Sequence, residues 1–147
     1  MSQSPFRRVA EDFWVAPQLA VEDFAAARAM GVRTVINNRP DGEAPDQLPS
    51  AEAEAAARDA GLDYVHVPVP SGGMQPGHLQ AFRQAVDHHD GPFLAYCRSG
   101  TRSCHLWAFA AARTRSADAV IESAAAAGYD LSGSAPLLER IAAEGLK

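Results

Sequence analysis

The stretch PFLAYCRSGTRSCHLWAFA, residues 92–110, decides the fold, because it places a strand, a glycine-containing turn and a helix in immediate succession. The apolar run 92–95 predicts a buried strand, and residues 104–110 predict a helix. Between them, Cys97 follows the strand and Gly100 precedes the helix. The first N–H groups of a helix have no intrahelical partner, so they can bind an anion. The sequence therefore predicts an anion-binding loop that contains a thiol.

The predicted position of Cys97 favours a reactive thiolate. A thiol at a helix N-terminus and near a guanidinium can have its pKa lowered from about 8.5 to between about 3.5 and 7.5, so we expect Cys97 to ionise at neutral pH. Gly100 allows a tight turn, since glycine tolerates a positive φ at little cost. Thr101 or Ser103 can donate to the sulfur or to a bound oxyanion, and Arg102 offers that oxyanion a planar fork. We predict Cys97 and Arg102 as catalytic residues.

The other loop positions complete a predicted substrate-binding set. Backbone N–H groups of residues 98–103 are expected to hold the bound anion, which adds Arg98 and Ser99 to Gly100, Thr101 and Ser103. The Arg98 side chain either adds to the positive field or faces water.

The second cysteine, Cys104, lies seven positions after Cys97. Two cysteines cannot build a disulfide framework, and cysteine is among the most buried residue types. A small buried hydrophobe is the favoured interpretation of Cys104, and a resolving thiol is the alternative.

The loop resembles those of two enzyme classes. Residues 97–103, CRSGTRS, closely resemble the active-site loop of single-domain rhodaneses, in which the cysteine carries a persulfide sulfur. They resemble less closely the phosphate-binding loop of cysteine-dependent phosphatases, which has five residues between cysteine and arginine. This chain has four residues between Cys97 and Arg102, and the shorter loop favours sulfur chemistry.

A wider resemblance includes a second motif. VINNRPDGE at residues 35–43 and AYCRSGTRS at residues 95–103 together resemble the phosphatase-like domain of bacterial beta-lactamase-hydrolase-like proteins. The similarity runs from about residue 13 to about residue 129. It implies the fold of dual-specificity phosphatases with a rhodanese-type loop. In that family the domain occurs alone or joined to a metallo-hydrolase that handles persulfides, which implies a functional link to a hydrolase of metallo-beta-lactamase fold.

Composition limits the class of protein. The chain has 147 residues, 47% of them hydrophobic, and a net charge of −5. We expect a single domain over residues 1–147 with residues 1–10 flexible. A net negative chain is a poor partner for nucleic acid. The sequence has no membrane-length apolar run and no signal-like N-terminus, so we expect a cytoplasmic protein without membrane contact. The histidines lack metal-ligand spacing, so we predict neither a metal nor a cofactor.

Hydrophobic patterns along the chain alternate between the two element types. They predict strands at residues 13–16, 33–37, 62–68 and 92–95, and helices at residues 21–30, 50–60, 76–89, 102–115, 117–127 and 134–144. This alternation predicts an α/β fold with a mostly parallel sheet of four or five strands and helices on both faces.

A second loop is predicted to reach the same crevice, because open α/β sheets place ligands at the carboxyl ends of their strands. Asn37 and Arg39 are candidate substrate-binding residues there. The alternative is that the asparagine caps a turn and Arg39 makes a surface ion pair. Asp41 is the candidate general acid, because the loop at residues 69–76 contains neither Asp nor Glu. His66 is expected to be structural.

Three functions remain open. In the first, a sulfurtransferase, the Cys97 thiolate takes a sulfane sulfur from thiosulfate or a persulfide, and a second thiol or cyanide accepts it. In the second, a phosphatase, Cys97 forms a phosphocysteine. The third is a noncatalytic anion-binding or partner-binding module. The first is favoured, and its partners are a small anionic substrate and a thiol acceptor.

Overall fold

The computed structural model describes residues 5–144 and contains one sheet with helices on both sides. No helix in this range is long and apolar enough to cross a membrane. The strands are β1 (Arg7–Ala10), β2 (Phe13–Ala16), β3 (Thr34–Asn37), β4 (Asp63–His66) and β5 (Phe93–Tyr96). The helices are α1 (Val21–Ala29), α2 (Ser50–Asp59), α3 (Pro76–Asp87), α4 (Thr101–Ala111), α5 (Ala117–Ala126) and α6 (Ala135–Glu144), the last preceded by a 3-10 turn at Ser132–Ser134.

The five strands are ordered β1-β2-β5-β3-β4. Strands β2, β5, β3 and β4 are parallel, and β1 pairs antiparallel with β2 at the edge. The predicted α/β fold with a mostly parallel sheet is therefore confirmed. Strand β1 was not predicted: Arg7–Ala10 falls within the segment expected to be flexible, and it pairs with β2. Residues 1–4 lie outside the described range.

Two apolar cores cover the two faces of the sheet, as the sequence predicts. Helices α1 and α2 enclose one core, in which Phe24 and Tyr96 meet edge to face. The other core lies under α3 to α6 and contains Phe82, Leu106 and Val120. Tyr96 has a hydroxyl without a hydrogen-bond partner, and burial raises its pKa.

Helix α4 is shorter than predicted, ending at Ala111 rather than at residue 115. The chain turns there because Ser116 begins the next helix, its side chain accepting a hydrogen bond from the Ala119 N–H at 3.1 Å.

The sheet order brings three loops to one edge. Strands β5, β3 and β4 are parallel neighbours, so the segments that follow them emerge side by side. The first two are joined by a hydrogen bond of 2.7 Å from the Asn38 N–H to the Tyr96 carbonyl oxygen. The loops after β5, β3 and β4 begin at Cys97, Asn38 and Val67, and together they form the candidate active site.

Candidate active site

The loop after β5 holds the thiol at the start of α4. Gly100 is the N-cap residue of α4 and has φ of 93°, a left-handed conformation that glycine adopts readily. Its N–H donates to the Cys97 sulfur at 3.1 Å. The predicted turn at Gly100 and the thiol beside an N-terminal N–H are both present. Cys97 is 0% exposed, so the sulfur lies below the surface of the loop.

Tyr129, in the connection between α5 and α6, supports this loop from the other side. Its hydroxyl donates to the Ser99 carbonyl oxygen at 3.1 Å. The same hydroxyl occupies the space that a Cβ atom at Gly100 would need. Burial raises the pKa of Tyr129, so the hydroxyl keeps its proton for this bond. Sequence reasoning missed this contact, because Tyr129 lies 30 positions from Ser99 and in no recognisable motif.

Arg102 is held by a carboxylate and a carbonyl group. Its Nη1 and Nη2 atoms donate to the two Glu43 carboxylate oxygens at 2.7 and 2.8 Å, and Nη1 also donates to the Val69 carbonyl oxygen at 2.8 Å. A guanidinium has five N–H groups, so one on Nε and one on Nη2 remain for another acceptor. The hydrogen bond with Glu43 raises the pKa of Arg102, and Cys97 raises it further. The arginine therefore interacts with both the carboxylate and the thiol.

Glu43, which binds Arg102, is a second residue of the candidate site that sequence reasoning missed. Besides Arg102 it binds Arg39, whose Nε donates to Glu43 Oε1 at 2.9 Å. The hydrogen bond from Arg102, followed by that from Arg39, lowers the pKa of Glu43 to about 2. Glu43 is therefore ionised at neutral pH and orients the arginine rather than donating a proton. A signal existed, because Glu43 ends the VINNRPDGE motif.

The candidate binding residues Asn37 and Arg39 are structural in this geometry. The Asn37 side chain accepts from the Arg39 N–H at 2.9 Å and donates to the Tyr64 hydroxyl at 2.9 Å. Arg39 is 4% exposed and also donates to Gln18 at 3.0 Å. The asparagine caps a turn as the alternative interpretation proposed, but the Arg39 ion pair is buried rather than on the surface. The structural role expected of His66 agrees with its 2.9 Å contact to the Arg39 carbonyl oxygen.

Ser103 lies inside the protein. It is 0% exposed, and its hydroxyl donates to Asn38 Oδ1 at 2.8 Å. The Asn38 side-chain amide in turn donates to the Val67 carbonyl oxygen at 3.0 Å. This chain of buried hydrogen bonds ties α4 to the loops after β3 and β4, so Ser103 positions the loop and does not face a substrate.

Asp41 binds the first turn of α2. Its Oδ1 accepts a hydrogen bond from the Ser50 N–H at 2.8 Å, which caps α2. Among the described residues Asp41 is not one that lines the cleft beside the loop, so this geometry does not support the general-acid role proposed for it.

A cleft of about 540 Å³ opens above the loop. No acidic residue is among those that line it within residues 5–144. The loop contributes Arg98, Ser99, Thr101 and Arg102, and the segment before α3 contributes Pro70, Ser71, Gly72 and Met74. His105, Phe109 and Leu137 complete the wall. The cleft therefore combines a cationic end, at Arg98 and Arg102, with an apolar end.

The surroundings of Cys104 agree with its prediction as a buried hydrophobe. Cys104 is 0% exposed and packs in the core under α3 to α6. Burial raises the pKa of this thiol to about 12, so it stays protonated at neutral pH.

Solved structures with the same fold include several phosphatase-type proteins. A candidate phosphatase from Neisseria meningitidis is 33% identical, with a TM-score of 0.82 over 95% of this chain and 99% of that one. Tk-PTP in its active form has a TM-score of 0.71 at 15% identity, over 95% of this chain and 97% of that one. The core catalytic domain of the PP-IP phosphatase Siw14 from S. cerevisiae has a TM-score of 0.64 at 13% identity, over 98% of this chain and 86% of that one. The fold is thus that of cysteine phosphatases.

The chain belongs to the family described as the phosphatase-like domain of beta-lactamase hydrolase-like proteins, whose model matches residues 5–114. Two relatives carry the name beta-lactamase hydrolase-like protein. The one from Agrobacterium fabrum is 33% identical over 136 residues, 90% of this chain, and the one from Xylella fastidiosa is 36% identical over 128 residues, 86% of this chain. The chain spans only about a third of their length, 31% and 30% respectively. The predicted family is confirmed.

Proposed function

We propose that this chain is a cysteine-dependent phosphatase. The Cys97 sulfur attacks phosphorus in a phosphate ester, forming an S–P bond while the bond to the leaving oxygen breaks and its electron pair departs with that oxygen. Water then attacks phosphorus, the S–P bond breaks, and phosphate leaves with regeneration of the thiolate. The phosphoryl oxygens would be held by the N–H groups at the start of α4 and by the Arg102 N–H groups on Nε and Nη2 that bind neither Glu43 nor Val69.

The observation that carries the proposal is the arrangement of Cys97, Gly100 and Arg102. The sulfur accepts from the Gly100 N–H at 3.1 Å, beside a guanidinium that Glu43 holds in a bidentate pair. Thiol, N-terminal N–H and oriented arginine are what phosphoryl transfer to cysteine requires. The shared fold with Tk-PTP and the Siw14 core favours phosphate over other anions as the substrate.

The proton donor is the part of the reaction that differs from the sequence-based expectation. Asp41 caps α2, and Glu43 is held ionised. His105 lines the cleft, and its Nδ1 lies 2.9 Å from the Thr101 carbonyl oxygen, which leaves Nε2 for a leaving group. With Nδ1 bonded to a carbonyl oxygen, Nε2 carries a proton to donate only when the ring is cationic. We therefore propose the imidazolium form of His105 as the proton donor to the leaving oxygen.

Sulfur transfer is the second candidate, and the four residues between Cys97 and Arg102 favour it. In this reaction the Cys97 sulfur attacks the outer sulfur of thiosulfate, an S–S bond forms, and sulfite leaves with the electron pair. The persulfide then passes its outer sulfur to a thiol or to cyanide. Sulfite needs no proton donor, which suits a cleft whose described lining residues include no carboxylic acid. A hydrolase of metallo-beta-lactamase fold is the proposed functional partner.

Parallel assays of one preparation separate these chemistries. Wild type and Cys97→Ser are compared for hydrolysis of aryl phosphates and for transfer of sulfur from thiosulfate to cyanide. Intact-mass measurement after a short exposure to each substrate reports a phosphoryl or a sulfur adduct on Cys97. Aryl-phosphate turnover and a phosphoryl adduct support the phosphatase. Sulfur transfer alone would replace it by the second candidate, and neither activity would leave a noncatalytic anion-binding module.

A leaving-group series tests the donor. His105→Gln should slow hydrolysis of esters with basic leaving groups by about a hundredfold or more, the usual contribution of general acid catalysis, and leave esters of acidic phenols almost unaffected. Equal slowing across the series would exclude His105 as the donor.

A further inference from the structure

A second, apolar cavity lies beside the cleft. It has a volume of about 200 Å³ and is formed where the start of α3 meets α4 and α6. Its lining residues are Met74, Gln75, Pro76, Leu79, Phe109, Leu137 and Ile141. Leu79 and Ile141, 6% and 5% exposed, belong to the buried core, so the cavity extends down to that core.

The cavity continues the apolar end of the cleft. Met74, Phe109 and Leu137 line both spaces. Leu137, at this shared wall, is 44% exposed, and exposed apolar side chains that border a groove mark binding surfaces more often than isolated ones do. One path therefore leads from the cationic loop, at Arg98 and Arg102, to an apolar chamber.

The two ends of this path differ in the ligand chemistry that they favour. The guanidinium groups of Arg98 and Arg102 attract an oxyanion. Within the described chain, Gln75 is the one lining residue of the second cavity with a polar side chain. An apolar cavity of about 150 Å³ accommodates one benzene molecule, so a chamber of about 200 Å³ has room for a group of ring size and not for a packed helix.

We propose that this chamber binds the apolar, ring-sized part of a small amphiphilic substrate whose anionic group lies at the Cys97 loop. The inference rests on the proposed function only in placing the anion at the loop. It adds that substrate choice depends on Met74, Phe109 and Leu137, which distinguish an apolar ester from a sugar phosphate or inorganic phosphate.

Non-hydrolysable ligands test this without relying on turnover. The dissociation constants of methyl-, benzyl- and naphthylmethyl-phosphonate are measured by calorimetry on the wild-type protein. Burying a ring-sized group predicts binding at least about tenfold tighter for the two aryl ligands than for the methyl ligand. The matching sulfonates are titrated in parallel, so that a loop that prefers sulfur oxyanions is also covered. Equal affinities within each series, or no binding in either, would overturn the proposal.

A pair of substitutions locates the effect. Leu137→Asp places a charge at the chamber wall and should remove the aryl preference, so that the ratio of the methyl to the aryl dissociation constants falls to about one. Val21→Asp is the matched control, since Val21 is 54% exposed and lines neither space, and it should keep the full preference. Both positions are exposed, so neither change disturbs the core.

The outcomes separate this proposal from the phosphatase proposal. An aryl preference without phosphate turnover would support the chamber proposal and reject the phosphatase proposal. Turnover without an aryl preference would support the phosphatase proposal and reject the chamber proposal. Sedimentation of wild type and Leu137→Asp provides the remaining control. A wild-type dimer that Leu137→Asp dissociates would identify this surface as a contact between copies of the chain and overturn its assignment as a ligand chamber.

Discussion

The two cysteines lie seven positions apart and differ in almost everything except burial. Cys97 and Cys104 are both 0% exposed. The Cys97 sulfur accepts from the Gly100 N–H and interacts with the Arg102 guanidinium. Cys104 lies among apolar side chains, and burial raises its pKa to about 12. Exposure alone would not distinguish the nucleophile here. Nearby donors do, because Cys97 follows a strand and faces the N-terminal end of α4, whereas Cys104 lies inside that helix.

The largest expected effect comes from removing each thiol in turn. Cys97→Ser should lower kcat/KM by at least about a thousandfold, since covalent catalysis requires the thiolate. Cys104→Ala should leave kcat/KM within about threefold and cost about 1 kcal/mol in unfolding free energy, because it removes only buried packing. Steady-state kinetics and urea denaturation measure both.

Alkylation checks the same contrast. In native Cys97→Ser protein, iodoacetamide at about pH 8 should leave Cys104 unmodified, because its raised pKa and burial keep it a protected thiol. In urea the same residue should react completely. Modification of Cys104 in the native state, or inactivation by Cys104→Ala, would mean that the second thiol takes part in the reaction.

Gly100→Ala comes next, because it changes the loop around Cys97 and leaves the sulfur in place. The left-handed backbone and the Tyr129 hydroxyl both oppose a Cβ atom there, so we expect about a hundredfold loss of kcat/KM and about 1 to 3 kcal/mol less stability. Gly77→Ala is the control, since Gly77 lies in α3 with open space around its Cβ position. Full activity in Gly100→Ala would show that the turn does not position the catalytic groups.

Glu43→Gln should have a smaller effect, about ten- to a hundredfold on kcat/KM, because Arg102 remains but loses its bidentate carboxylate. Glu54→Gln is the matched control, since Glu54 makes only an exposed pair with Arg58 at 2.8 Å. Equal activity in the two variants would show that Arg102 needs no carboxylate to orient it.

The pH dependence of stability sharpens this test. The pKa of Glu43 falls from its ordinary 4.5 to about 2 on folding, so its ionised form stabilises the native state. The excess stability of wild type over Glu43→Gln should be complete above about pH 4.5 and should decline as the pH falls towards about 2. A difference independent of pH across this range would contradict the ion pair as its source.

Tyr129→Phe should give the smallest effect. It removes the hydrogen bond to the Ser99 carbonyl oxygen, at a cost of about 0.5 to 1.5 kcal/mol in stability, and leaves the ring packed against the loop. We expect kcat/KM to fall less than about tenfold. A loss as large as that of Gly100→Ala would show that the hydroxyl does more than support the loop.

The sequence by itself determined the order of elements and the position of the nucleophile. Within residues 5–144, periodicity located all six helices and four of the five strands, and the residues from Cys97 to Arg102 defined the loop and the turn at Gly100. These features depend on neighbours within one turn or one strand, which local sequence specifies. Strand β1 escaped prediction because only its pairing with β2 orders it.

Only the tertiary structure decided which distant residues complete the site. Glu43 pairs with Arg102 across 59 positions, and Tyr129 reaches Ser99 across 30. The first pair exists because parallel crossovers bring strand ends to one edge of the sheet, and the second because α5 packs beside α4. No local pattern encodes either meeting. The same packing left Asp41 and Ser103 out of the described residues that line the cleft and joined the cleft to an apolar chamber between α3, α4 and α6.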